Sequence, residues 1–177
     1  YGTGGRGPEF PGDQREDDGK SLVFNTEPLS DAVEILGSAT LELELSVDKP
    51  LAFVVARLCD VAPDGPATRV SYGALNLCHR DSRERPELLV PGKQYLVTLQ
   101  LNDAAYRFRA GHQIRLALST TYWPLIWPSP EATTLTVHCI RSKLSLPIRA
   151  GSADAAVSFA SPESGPPAPH TQLDPVH

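Results

Sequence analysis

The sequence predicts an all-β domain, built as an antiparallel two-sheet sandwich or jelly roll. Apolar and polar residues alternate in several short segments, most clearly where Leu41, Leu43 and Leu45 are separated by Glu42 and Glu44. This period of two is typical of an antiparallel strand with one face in the core and the other in solvent. No segment shows the period of a long amphipathic helix, so a doubly wound fold with helical crossovers is excluded.

The remaining strands follow from the same alternation and from the turns between the segments. Residues that favour turn geometry, mainly proline, aspartate and glycine, occur at 48–50, 63–65, 91–92 and 110–111. Residues 29–36 are predicted to form one short helical turn. Strands are predicted at residues 21–24, 41–45, 52–61, 69–77, 95–101, 114–119, 134–137 and 143–146.

The chain divides into one domain and two flanking segments. Its 177 residues suffice for a single domain with its own core, since domains usually contain about 100–200 residues. Residues 1–20 are rich in glycine and then in charge, and they predict a linker or charged arm. Residues 21–148 hold the sandwich, and residues 149–177 form a tail rich in proline, alanine and serine. The sequence starts at Tyr1 and contains no methionine, so we expect it to be part of a longer protein.

Composition excludes several classes of partner. The formal net charge of −5 argues against nucleic acid, because neutralising phosphates requires a basic surface. No run of about 18–20 apolar residues is long enough to span a membrane. Cys59, Cys78 and Cys139 are odd in number and widely spaced, unlike the cysteines of a disulfide framework. They predict reduced thiols and a cytoplasmic protein.

The sequence lacks the common catalytic and metal-binding motifs. It contains no Gly-x-Ser-x-Gly, no glycine-rich phosphate loop and no His-Glu-x-x-His. The run from Cys78 to Ser82 contains the residue types of a catalytic triad, but neighbours on an extended segment point to opposite sides. Asp81 and Ser82 are therefore expected to make local hydrogen bonds in a turn. We assign no catalytic residue, no cofactor and no metal ligand.

Two ionisable residues lie on otherwise apolar strands. Arg57 lies within the apolar run 53–58, and a buried guanidinium requires a partner because an unpaired buried charge is very costly. We predict a structural ion pair with Asp60 or with an acid of the charged arm. The alternative is a clamp for a substrate carboxylate. His112 shares the apolar face of its strand, and we expect a hydrogen-bonded residue at the boundary of the core.

The most unusual segment, residues 119–130, contains both tryptophans and three prolines. It has too many prolines for an interior strand and is too apolar for an ordinary surface loop. Three interpretations remain open. The loop closes one end of the sandwich, or it packs on another domain, or it is a stacking platform of a carbohydrate- or peptide-binding module. The candidate interface residues are Tyr122, Trp123, Leu125, Ile126 and Trp127.

Several blocks of sequence, taken together and in order, resemble a known family. Among them are ARLCDVAPDG at residues 56–65 and GHQIRLALS at residues 111–119. Together they resemble the C-terminal, non-catalytic domain of the X-Pro dipeptidyl-peptidase and cocaine esterase hydrolases, the CocE/NonD family. The resemblance extends from about residue 13 to about residue 148. Its further blocks are residues 13–24, 26–29, 34–37, 75–77, 79–82, 122–124 and 127–130.

The resemblance implies a fold and a partner. It implies a jelly-roll β-sandwich of the galactose-binding-like type, which packs on an α/β-hydrolase domain of the same polypeptide and shapes its substrate pocket. The Ser, Asp and His triad of the family lies in that preceding domain, so no catalytic residue carries over to this chain. The parent proteins hydrolyse ester or amide bonds, by release of X-Pro dipeptides or by ester cleavage. A homodimer remains open.

Overall fold

A computed structural model describes residues 12–149 and Ala160, so most of the predicted tail and the first residues of the predicted arm lie outside the described residues. Within them the chain forms one short helix, α1 (Arg15–Asp18), and eight strands, with 3₁₀ turns at Leu77–His79 and Cys139–Arg141. The strands are β1 (Leu22–Asn25), β2 (Val33–Val47), β3 (Phe53–Val61), β4 (Ala67–Asn76), β5 (Tyr95–Phe108), β6 (Gln113–Ser119), β7 (Leu135–Val137) and β8 (Lys143–Ser145).

The strands form two antiparallel sheets. The first sheet has the order β1-β6-β3-β4, and the second has the order β5-β2-β7, with β8 also paired to β2. Strand β7 pairs with the end of β2 and β8 pairs with its middle, so these two short strands share one edge of the second sheet. The prediction of an all-β, two-sheet antiparallel sandwich is confirmed. The jelly-roll connection between the strands stays a prediction.

The core lies between the two sheets, where the alternating apolar residues meet. Leu41, Leu43 and Leu45 of β2 are each 1% exposed or less. They pack in one cluster with inward residues of β3, β5 and β6, among them Leu58 and Leu116. Burying such side chains is the main favourable contribution to the stability of a sandwich.

Strand β2 begins earlier than predicted. The expected helical turn at 29–36 is wrong, because residues 29–32 form no helical turn and Val33–Leu36 pair with the end of β5, starting with Val33 opposite Phe108. Gly37 has a φ of 120° and the register shifts between Ser38 and Thr40. This irregularity interrupts the alternation in the sequence, although the ladder of hydrogen bonds to β5 continues on both sides of it.

The two sheets approach each other closely where β4 passes β5. A Cβ atom at Gly73 would lie 2.8 Å from the carbonyl oxygen of Gln100 and 3.1 Å from the Cα atom of Leu101. Any residue other than glycine would therefore force the strands apart. Gly73 is required by the close approach of two backbones rather than by a turn.

One end of the sandwich carries the segment rich in tryptophan and proline. Strand β6 ends at Ser119, opposite Val55 near the start of β3, and the chain then returns to β7 at Leu135. The hydroxyl of Thr133 donates a hydrogen bond to the carbonyl oxygen of Leu51 at 3.3 Å, which fixes the returning chain at this end. We call the connection, residues 120–134, the aromatic loop.

No helix in the described part of the chain is long and apolar enough to cross a membrane.

Candidate functional site

The outer face of the first sheet is covered by the charged arm. Val54, Ala56 and Leu58 of β3 face the core. Because neighbouring residues of a strand point to opposite faces, Arg57 faces outward, away from the second sheet. It is nevertheless only 1% exposed, because residues 13–21, including α1, lie over it.

Arg57 is held by side chains from this arm. Its Nη2 atom lies 3.1 Å from the Asp18 carboxylate and donates to the Ser21 hydroxyl at 2.9 Å, while Nη1 donates to the Gln14 side chain at 3.1 Å. Asp17 is a more distant partner at 3.6 Å and is itself largely exposed. A buried guanidinium surrounded in this way is stabilised by both charge and hydrogen bonding.

Asp18 joins two strands of the sheet to the arm. Its Oδ2 atom accepts a hydrogen bond from Arg115 of β6 at 2.8 Å, while its Oδ1 atom lies next to Arg57 of β3. The Asp18 carboxylate is 4% exposed. A single buried carboxylate thus lies between two guanidinium groups, and we call Asp18, Arg57 and Arg115 the arm cluster.

A second aspartate fixes the start of the arm. Asp13 accepts hydrogen bonds from the backbone N–H groups of Arg15 and Ala67, at 3.2 and 3.1 Å. The Arg15 side chain and these backbone donors lower the pKa of Asp13 to about 2. The arm is therefore attached both at Asp13, near the hairpin between β3 and β4, and at Asp18, over the centre of the sheet.

The expected pairing of Arg57 with Asp60 is corrected, because the two residues point to opposite faces of β3. Asp60 is on the inner side, where it accepts hydrogen bonds from the Tyr106 hydroxyl and lies 2.8 Å from Nδ1 of His112. Burial, and then the hydrogen bond to Asp60, raise the pKa of Tyr106 to about 12. His112 is the hydrogen-bonded boundary residue that the sequence predicted.

The run from Cys78 to Ser82 forms a turn. The Ser82 hydroxyl accepts hydrogen bonds from the backbone N–H groups of Glu84 and Arg85, at 3.2 and 3.1 Å. Asp81 forms an ion pair with its neighbour Arg80 at 3.1 Å. The expected local hydrogen bonds are therefore found at Ser82, whereas Asp81 makes a local ion pair instead.

The sequence also contains cysteines and possible metal ligands. All three cysteines are free, and burial raises the pKa of the Cys59 thiol to about 12. Within the described residues, no group of three or more His, Cys, Asp or Glu side chains is arranged to hold a metal ion.

The five residues predicted to form an interface divide into two groups. Tyr122 is buried, its hydroxyl accepts a hydrogen bond from Arg69, and the Arg57 guanidinium lies 5.5 Å from its ring centre. Ile126 is half-buried, and its backbone N–H donates to the Tyr122 carbonyl at 2.8 Å. Tyr122 therefore attaches the aromatic loop to Arg57 of the arm cluster, and Ile126 is bonded to Tyr122.

The other three residues of the group are exposed. Trp123 and Trp127 are 63% and 78% exposed, and Leu125 is 41% exposed. The two indole rings pack edge to face with centroids 5.5 Å apart, a favourable aromatic geometry. We call Trp123, Leu125 and Trp127 the aromatic rim.

Further apolar side chains are exposed at the same end of the sandwich. Leu51 lies two residues before the start of β3, and Leu88 and Val90 flank Leu89, whose backbone N–H donates to the carbonyl of Pro50. Leu51, Leu88 and Val90 are 40%, 63% and 57% exposed. Large exposed apolar surfaces mark sites of interaction in proteins.

A cavity separates the arm from the aromatic rim. It has a volume of about 290 Å³, and its lining includes Asp17, Lys20, Thr121 and Trp123. Charged groups, a hydroxyl and an aromatic wall therefore face one another across it. This combination suits a small polar ligand with one flat apolar face.

Comparison with known families identifies the fold and the class of domain. The model of the family described as X-Pro dipeptidyl-peptidase C-terminal non-catalytic domain matches residues 3–166. The chain belongs to this family. The family is non-catalytic by its description, which agrees with the lack of a convergent triad in the run at Cys78.

Similar proteins are several times longer than this chain. Cocaine esterase from Rhodococcus sp. (strain MB1 Bresler) is 31% identical over 120 residues, which is 67% of this chain and 21% of the esterase. Among solved structures, an α-amino acid ester hydrolase superposes with a TM-score of 0.75 at 25% identity over 80% of this chain and 28% of its own. A CocE/NonD family hydrolase from Staphylococcus aureus gives a TM-score of 0.63 at 16% identity, over 78% of this chain and 32% of its own, and supports the fold.

The arm cluster predicts a sharp difference between two neighbouring acids. Asp18→Asn leaves the buried Arg57 and the half-buried Arg115 without the carboxylate they share, and we expect it to lower the free energy of unfolding by about 3–5 kcal/mol. Asp17→Asn is the matched control, because Asp17 is 55% exposed and more distant from Arg57, and it should cost less than about 1 kcal/mol. Urea unfolding followed by circular dichroism measures both. Equal losses of stability in the two variants would contradict the assignment of Asp18 as the main partner of Arg57.

Proposed function

We propose that this chain is the C-terminal domain of a CocE/NonD-type serine hydrolase, with X-Pro dipeptidyl-peptidase or acyl esterase activity. In this proposal the aromatic rim packs on the α/β-hydrolase domain of the same polypeptide and helps to shape its substrate pocket. The chain itself supplies no catalytic residue, and the parent protein is a cytoplasmic hydrolase.

The exposure of Trp123 and Trp127 carries this proposal. Two indole rings at 63% and 78% exposure present apolar surface that a free domain gains nothing by exposing. Burying about 500 Å² of apolar surface at this end contributes on the order of 12 kcal/mol before the costs of ordering and polar desolvation. This is sufficient to hold two tethered domains in one arrangement.

The geometry of the loop supports a rigid docking surface. Tyr122 is fixed by the arm cluster, and the backbone hydrogen bond from Ile126 to Tyr122 closes a short turn at 2.8 Å. In the sequence, Trp123 directly follows Tyr122, and Leu125 and Trp127 lie on either side of Ile126. A surface that is ordered before binding loses less conformational entropy when it docks.

The rim is tested through its own tryptophans, which are the only two in the chain. We expect both fluorine resonances of the 5-fluorotryptophan-labelled chain to shift when the unlabelled hydrolase domain is added. Trp123→Ala combined with Trp127→Ala should weaken the association at least about tenfold by calorimetry. Leu36→Ala, at another exposed apolar residue, is the control and should have no effect. Unchanged resonances at saturating hydrolase domain would contradict the proposal.

A second candidate function is supported by the cavity beside Trp123. Its aromatic wall and the polar groups of Asp17, Lys20 and Thr121 favour a saccharide or a short peptide as ligand. Tyr122 also lines the cavity, but at 9% exposure it presents much less aromatic surface there than Trp123 does. In this second proposal the domain is a binding module that brings the parent enzyme to its substrate.

Fluorescence titration distinguishes the second candidate from the first. The Trp127→Phe variant keeps Trp123 as the single reporter beside the cavity. If the cavity binds, methyl galactoside, methyl glucoside or a Gly-Pro peptide should produce a saturable shift that Asp17→Ala weakens. If emission is the same at every concentration of all three ligands, the domain is not a module for these ligands.

A further inference from the structure

One long edge of the sandwich is open, between β1 of the first sheet and β7 and β8 of the second. A cleft of about 360 Å³ lies there, lined by Phe24, Leu116 and Leu118 from the first sheet and by Leu41 and Leu144 from the second. The volume corresponds to about a dozen water molecules in the liquid. Apolar walls offer such waters few hydrogen bonds, so apolar side chains should occupy this space more favourably than water does.

Strand β1 exposes the side chains that should belong to the core. Leu22 stands opposite Leu118 and Phe24 stands opposite Leu116 in the pairing with β6. Paired residues of neighbouring strands point to the same face, and Leu116 and Leu118 are buried in the core. Leu22 and Phe24 are nevertheless 48% and 37% exposed, because nothing within the described residues covers them along this edge.

The backbone of β1 also has an unpaired side. The N–H group of Thr26 donates to the carbonyl of Ile114 at 3.0 Å, at the end of the same ladder. Hydrogen-bonded residues alternate along an antiparallel pair, so Leu22 and Phe24 bond to β6, and the backbone groups of Val23 and Asn25 point to the open edge. Two N–H and two C=O groups are therefore directed toward an additional strand.

We propose that this edge is completed by one more β-strand, supplied by a part of the parent polypeptide outside residues 1–177. The strand pairs with Val23 and Asn25 of β1 and inserts apolar side chains, at alternate positions, into the cleft between Phe24 and Leu144. We expect this strand to be an extended segment in which apolar and polar residues alternate, as in other cases where a strand is added to the edge of a sheet. This inference rests on the proposed function, because it requires a longer hydrolase polypeptide.

The size of the similar proteins favours this occupant. The chain covers 21% of the cocaine esterase and 28% of the α-amino acid ester hydrolase chain, so most of a related polypeptide lies outside the region matched here. An exposed apolar edge strand is an aggregation hazard that proteins normally cover or pair. The second sheet offers a poorer template, because its edge is divided between β7 and β8 by the 3₁₀ turn at Cys139–Arg141.

Amide hydrogen exchange in β1 tests the added strand with an internal control. Two samples are compared by NMR: the 177-residue chain, and the parent polypeptide with only these residues isotopically labelled by segmental ligation. We expect the Val23 and Asn25 amides to exchange rapidly in the short chain and on the order of 100-fold more slowly in the parent. The Leu22 and Phe24 amides, bonded to β6 in both samples, provide the reference.

Proline substitutions give an independent readout. Val23→Pro removes an N–H that is unbonded in the short chain, and edge strands tolerate proline there. We expect it to leave the melting temperature of the short chain close to that of Val23→Ala, and to lower that of the parent by several degrees. Phe24→Pro is the matched control, because it removes an N–H bonded to β6 and should lower the melting temperature of both.

Each alternative occupant produces a result that overturns the proposal. Protection of Val23 and Asn25 in the short chain that disappears on deletion of residues 1–11 or of residues 150–177 would assign the cleft to one of the chain's own ends. Protection that increases with protein concentration would show that a second copy of the chain occupies the cleft. Equally fast exchange of the Val23 and Asn25 amides in both samples would show that no strand pairs with this edge of β1. The fluorotryptophan resonances report the aromatic rim separately, so a failed edge strand and a failed rim are distinguishable.

Discussion

The structure depends on one buried cation, Arg57, at the centre of the outer face of the first sheet. A guanidinium at 1% exposure has lost its hydration and requires a carboxylate and hydrogen-bond acceptors in fixed positions. Its own sheet offers none on that face, because the nearest acid along β3, Asp60, points to the core side. Asp18 and its neighbours in the arm meet most of this requirement from outside the sheet, and only the Nε atom of Arg57 has no hydrogen-bond partner among the described residues.

The contacts that surround Arg57 also fix the position of the arm and of the aromatic loop. Asp18 also binds Arg115, so the arm connects β3 to β6 and closes the outer face of the sheet. Tyr122 packs under the Arg57 and Arg69 guanidinium groups, each 5.5 Å from its ring centre. The aromatic loop is thereby fixed near its start, at Tyr122, and the next residue, Trp123, is exposed. The structural ion pair and the proposed docking surface are therefore connected through Tyr122.

The fold was largely predictable because its main signal is local. The alternation of leucine and glutamate at residues 41–45 identified β2, and the same period together with the turn residues between segments located the other seven strands. The start of β2 was not predictable, since Gly37 and the register shift beside it interrupt the alternation, and only pairing with β5 shows that the strand continues. Such non-local pairing leaves no periodic signal in the segment itself.

The sequence predicted that Arg57 forms an ion pair, but it did not identify which acid is the partner. A charged residue in an apolar strand required an acid, and strand parity alone argues against Asp60, which lies three positions from Arg57. The choice of Asp18 over Asp17 depends on the turn of α1 and could not be inferred from sequence. The division of the aromatic loop likewise depends on Arg69 binding Tyr122, a contact between residues 53 positions apart.

A double-mutant cycle on Arg57→Met and Asp18→Asn tests the central interaction most directly. The account predicts that the two substitutions are strongly non-additive, with a coupling free energy of about 2–3 kcal/mol. Asp18→Asn removes the nearest carboxylate from the buried Arg57 guanidinium, and this cost is absent once Arg57 has been replaced by methionine. The free energies of unfolding of the four proteins in urea provide this value. Additivity within about 0.5 kcal/mol would show that the arm is not held by Arg57, and would contradict the account.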